Sequence, residues 1–147
     1  MCYACGEQND RGLHMHFRRE GERTVCDYDP LEYQQGFPGR MHGGIVATMI
    51  DEAMGWAVYH AKAWAATARL NVRYRRPVRL EQRLRIEAWV VNDRARLLEL
   101  RGEVRDESGA LLAEGDGVFM KLDERFAGEL SELAVQAGRD DAPERAR

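Results

Sequence analysis

Between Pro38 and Trp56 the chain sets His42, Gly43 and Gly44 directly before an apolar helical pattern whose only acids are Asp51 and Glu52. Glycine lets backbone N–H groups approach a ligand closely, and the first N–H groups of a helix lack intrahelical partners. Gly43 and Gly44 therefore offer donors to an oxyanion or a polarised carbonyl. A carboxylate two turns further on, at Asp51, supplies a general base or nucleophile and completes the parts of an acyl-transfer site. Glu52 points about 100° away around the helix and reads as a solvated or salt-bridged neighbour. His42 has two readings, a substrate contact or a residue that caps the turn.

The elements that must hold these groups follow from changes of hydrophobic period. Residues 12–19 and 23–29 read as two strands around a turn at Glu20, Gly21 and Glu22, and 30–41 as a loop punctuated by Gly36, Pro38 and Gly39. From Gly44 to about Ala63 nearly the whole helical circumference is apolar, which predicts burial on most sides. From Thr67 the pattern alternates, with Leu70, Val72 and Tyr74 on one face and Arg69, Asn71, Arg73 and Arg75 on the other, until Pro77. On strict alternation Thr67 lies opposite Leu70, as a plain strand residue would. Three more strands follow, with turns at Asn92–Arg94 and Glu107–Gly109; the last covers residues 110–122. Two strands, one long helix and four antiparallel strands make an α+β fold with the sheet wrapped round a single helix. Residues 1–137 read as one domain, with a short helix from Phe126 to Ala137, and residues 138–147 as a disordered tail.

The bulk composition narrows the functional class. A net charge of −3 gives no reason to expect nucleic acid, and no apolar run approaches the ~20 residues that span a bilayer. The start, Met1 to Asn9, lacks the basic and apolar regions of a signal peptide, so a cytoplasmic, reducing setting is expected. Three cysteines are an odd number for a disulfide framework. Cys2 and Cys5 form a lone C-x-x-C; a zinc site completed by His14 and His16 is disfavoured because those histidines alternate in a strand-like stretch. Two reduced thiols and no metal are the expectation.

Several spaced blocks together resemble the hotdog-fold acyl-CoA thioesterases, particularly the phenylacetic-acid-degradation type. They are Cys5-Gly6, Asn9, Gly12-Leu13, Gln35 to Gly39, His42 to Ile45, Asp51 to Gly55, and Thr67, Ala68, Leu70, Asn71, Tyr74, Arg76 and Pro77. The resemblance implies a hotdog fold, no cofactor, an acyl-CoA substrate, Asp51 as general base or nucleophile, the Gly43 N–H as carbonyl polariser, and Thr67 as a holder of the attacking water. His42 joins this catalytic set. Gly44, Gln35, Asn71, Arg73 and Arg76 form the substrate-binding set, the arginines because guanidinium groups match phosphate oxygens. Two departures stand out: Asp10 replaces a proline that often follows Asn9, and Gly36 stands where relatives carry an amide, with Gln35 next to it.

Spacing adds an expectation about assembly. At ~1.5 Å per residue, eight helical residues separate the Gly43 and Asp51 backbones by roughly 12 Å, too far to serve one thioester carbon at ~3.5 Å. Antiparallel helices in a symmetric homodimer, Gly43 of one subunit facing Asp51 of the other, solve this; dimers of dimers remain open. A hotdog dehydratase is a rival, but Gly36 stands before Phe37-Pro38-Gly39 where that group carries its catalytic His. A non-catalytic acyl-CoA-binding protein is another. The acyl group, aromatic or aliphatic, is left open.

Overall fold

The computed structural model describes residues 1–123 and 125–129. Strands β1 (Arg18–Glu20) and β2 (Arg23–Tyr28) form a hairpin; α1 (Gly43–His60) follows a loop containing a 3-10 turn at Glu32–Gln34. Then come β3 (Ala65–Tyr74), β4 (Leu84–Asp93), β5 (Leu97–Asp106) and β6 (Leu111–Lys121). All six strands join one sheet in the order β1-β2-β4-β5-β6-β3, every neighbour antiparallel, with α1 packed across one face. This is the hotdog architecture. Residues 125–129 are helical; the rest of the expected 126–137 helix and all of 138–147 lie outside the described residues.

Helix and sheet meet because the sheet has side chains missing where the helix presses. On the inner face, a Cβ at Gly115 would lie 2.8 Å from Ile50 Cγ2 and 3.2 Å from the Asn71 carbonyl oxygen; one at Gly102 would lie 3.0 Å from Ile50 Cγ2. Gly117 sits equally close under Met54. Ile50 and Met54 are fully buried in these gaps, and Met49, Ala53, Ala57, Leu98, Leu100 and Phe119 complete the same core. The helix ends where Lys62 takes φ 60°. Lys62 N–H bonds the Tyr59 carbonyl and Ala63 N–H the Val58 carbonyl, a Schellman closure that stops α1 at His60, three residues short of the sequence expectation.

Two further expectations are corrected. Residues 12–17 are not a strand: His14 adopts φ 50°, outside the β region, and Leu13 and Met15 donate instead to the carbonyls of Tyr3 and Ala4. Their apolar alternation was real, since Leu13 and Met15 are buried, but they pack beneath the N-terminal segment rather than in the sheet. Nor is α1 buried on most sides: Val46, Met49, Ile50, Ala53, Met54, Ala57 and Val58 are buried, whereas Ala47, Thr48, Asp51, Gly55 and Trp56 stay half-exposed in a single chain.

Gly115→Ala should overpack the stiff Ile50 side chain against unyielding backbone and cost about 1–3 kcal/mol. The urea midpoint should fall with the slope unchanged.

Candidate active site

The start of α1 is organised by the loop before it. Gln34 is fully buried; its side-chain oxygen accepts from Leu31 N–H at 3.0 Å, its amide nitrogen donates to the Tyr28 hydroxyl, and its backbone carbonyl accepts from His42 N–H at 2.8 Å. This buried polar side chain thus fixes the loop that delivers His42 to its N-cap position. There His42 Nδ1 accepts the Gly44 N–H at 3.0 Å, so Nδ1 is unprotonated and the ring proton of the neutral tautomer sits on Nε2. The structure shows His42 as the cap.

That cap separates the two glycines. Gly44 N–H is committed to His42, while among the described residues Gly43 N–H has no protein acceptor. Gly43 therefore presents the available donor at the positive end of the helix, and Gly44 serves by orienting His42. Gly36 lies against His42, where a Cβ would come within 3.1 Å of its Cα. Gln35 turns its side-chain oxygen back to Gly39 N–H at 2.6 Å, so its amide is spent partly on closing its own turn.

Asp51 stands two turns along the half-exposed side of α1. Thr67 Oγ1 donates to Asp51 Oδ1 at 2.9 Å, uniting the two residues that the sequence paired sixteen positions apart. Alternation alone put Thr67 on the wrong face. The β3–β6 register shifts between Thr67 and Arg69, an extra residue at Ala68 that restores Thr67 to the helix side shared by Leu70 and Val72. The hydrogen bond leaves the other carboxylate oxygen, Oδ2, without an acceptor duty to Thr67.

Tyr74 was overlooked as a site residue. Its hydroxyl donates to the Gly43 carbonyl at 2.8 Å and ties the first turn of α1 to the end of β3. The signal was present in the row Leu70, Val72, Tyr74, whose last member carries a hydroxyl at the helix-facing end.

The remaining candidates are not gathered here. Asn71 and Arg73 pair in register with Asp116 and Glu114, on the sheet face away from Asp51. Arg75 binds Glu114 at 2.8 Å, whereas Arg73 has no ion-pair partner among the described residues. Arg76 lies beyond the end of β3, in the field of Asp106. About 100° round α1 from Asp51, Glu52 meets Cys2 and Cys5. His14 and His16 contribute nothing to that cluster, and no disulfide joins the three cysteines.

Comparison with known proteins identifies the family. The family model described as the thioesterase superfamily matches residues 38–113, from the loop before His42 into β6. The chain belongs to the thioesterase superfamily. The acyl-coenzyme A thioesterase THEM4 of Bos taurus is 40% identical over 103 residues, covering 69% of this chain and 42% of that protein, so the chain spans less than half of this relative's length. A crystallised thioesterase superfamily protein superposes with a TM-score of 0.78 at 24% identity, covering 80% of this chain and 62% of its own. A thioesterase from Streptococcus pneumoniae with coenzyme A gives 0.70 at 15% identity, covering 74% and 85% respectively. Among the described residues no helix is long and apolar enough to cross a membrane.

His42→Ala should remove the cap and cost about 1 kcal/mol, with His42→Asn recovering most of it. Denaturant unfolding of the three proteins measures both differences.

Proposed function

We propose that this chain is an acyl-CoA thioesterase acting as a homodimer, with each site built from Asp51 and Thr67 of one protomer and the Gly43 N–H of its twin. The observation that carries the reading is the Thr67–Asp51 hydrogen bond at 2.9 Å, together with an uncommitted N–H at the start of the same half-exposed helix. The name of the bovine relative and the coenzyme A held by the streptococcal protein support the substrate class.

The protomer leaves two edges, and they differ. β1 is three residues long and made of Arg18, Arg19 and Glu20, whereas β3 offers ten residues. Long unpaired edges recruit partners, and short charged ones do not. Antiparallel pairing of β3 with its own copy, about an axis at Asn71 and with Ala68 bulged out of the ladder, brings Thr67 of each strand opposite Tyr74 of the other. Thr67 marks Asp51 and Tyr74 marks Gly43, so the same axis assembles two equivalent sites.

In the reaction, the thioester oxygen accepts from Gly43 N–H while Thr67 and Asp51 hold water. Asp51 takes a proton as the oxygen of that water bonds to the carbonyl carbon. The oxyanion collapses, the C–S bond breaks, and the coenzyme A sulfur leaves as a thiolate that receives the proton. Arg73 and Arg76 supply guanidinium groups for the phosphates beyond Tyr74. Asn71 has no part in the carbonyl chemistry. A dimer-of-dimers would leave this unit intact.

Asp51→Asn should reduce kcat for acyl-CoA hydrolysis at least ~100-fold while the protein still folds and dimerises; parental turnover would refute the assignment. The cross-subunit site has its own test. Gly43 is the first helical residue, where proline is tolerated and removes only the N–H, and a Cβ there meets Tyr74 at an ordinary 3.6 Å. Asp51→Asn and Gly43→Pro proteins, each inactive alone, should recover about one quarter of parental activity when co-refolded in equal amounts, because one of two sites in each mixed dimer is whole. A site contained in one chain would recover nothing.

A further inference from the structure

Cys2, Cys5 and Glu52 place two thiol sulfurs and a carboxylate oxygen within 4.8 Å of one another, in a half-buried pocket between the N-terminal turn and α1. Their local frames are specific. Gly6 N–H donates to the Cys2 carbonyl at 3.1 Å, and a Cβ at Gly6 would fall 2.5 Å from Cys2 backbone N and O, so glycine alone fits the tight C-x-x-C-G turn. Asn9 Nδ2 braces the same carbonyl at 3.4 Å. On the helix side, Trp56 Nε1 donates to Glu52 Oε1 at 3.2 Å, which orients the carboxylate and leaves Oε2 available. Cys2 Sγ lies 3.6 and 3.7 Å from the two carboxylate oxygens. Ligands of a tetrahedral zinc, with Zn–S ~2.3 Å and Zn–O ~2.1 Å, stand about 3.6 Å apart.

We propose that Cys2, Cys5 and Glu52 bind a divalent borderline-soft cation of the zinc type, with water in the fourth position. Two thiolates and a carboxylate are a suitable donor set for zinc, and three protein ligands leave one position open. Trp56 acts as the outer hydrogen-bond donor that holds the carboxylate in place. Burial, and then the Glu52 carboxylate beside it, push the Cys5 thiol up to about 12. On binding, the cation takes two thiolate sulfurs and two protons pass to solvent. The cysteines lie outside the stretch matched by the family model, 38–113, so the site does not come with that match. The bound cation would pin the N-terminal turn to α1 one residue from Asp51.

Cobalt(II) titration of the reduced full chain tests this. The expected result is about one equivalent bound per chain, with a near-ultraviolet thiolate-to-cobalt band, visible bands of tetrahedral intensity, and release of about two protons in weak buffer. Cys5→Ser should abolish the thiolate band or weaken it strongly. Glu52→Gln should lower affinity ~10–100-fold, and the double change His14→Ala with His16→Ala should leave it unaltered. Absence of cobalt bands in the parent protein with both thiols titratable, formation of a Cys2–Cys5 disulfide instead, or loss of binding in the double histidine variant would overturn the proposal.

Discussion

The close seating of α1 on the sheet is the constraint on which everything else rests. Ile50 and Met54 descend into space that Gly102, Gly115 and Gly117 leave open on three adjacent positions of β5 and β6. With ordinary side chains there, the helix would ride higher, and Asp51, one residue after Ile50, would lift away from Thr67. The apolar packing that stabilises the fold and the 2.9 Å contact that defines the site are thus two readings of one helix–sheet distance.

The N-terminal half of the helix is set by a different kind of force. Gln34 is among the few buried polar residues, and its three hydrogen bonds span the end of β2, the 3-10 turn and the N-cap. An unsatisfied amide in that position would be costly, so the loop has one conformation that meets its needs. His42 inherits its position from that loop, and Gly43 inherits its uncommitted N–H from His42. Packing governs where the acid stands, and polar satisfaction governs where the donor stands.

Much of this was legible in the residues. The period-2 runs gave β4, β5 and β6 close to their observed bounds, because each has one buried and one solvated face. Gly43 and Gly44 before an apolar run marked the helix start, and the spacing to Asp51 marked the acid. What escaped were the places where a local conformation overrides a repeating pattern. The φ of His14 breaks an apparent strand, the register shift at Ala68 reverses the face of Thr67, and Glu52, taken for a solvated neighbour, turns to meet two cysteines fifty residues earlier. The partial exposure of α1 could not be read from its composition, since an apolar circumference looks the same whether the strands of one chain cover it or a second helix does.

The irregularity at Ala68 has a consequence for how such a protein tolerates change in length. A pleated strand keeps a strict parity, and every residue downstream of an insertion or deletion trades faces unless the count is corrected. Here the correction is a single backbone unit sitting between a hydroxyl that serves Asp51 and an apolar row that serves the core. Loss of that one unit would leave Thr67 two places before Leu70 and still on the helix face, so a chain shortened there keeps both its apolar row and its carboxylate contact, whereas one more residue joining the ladder would turn Thr67 outward and disconnect the acid.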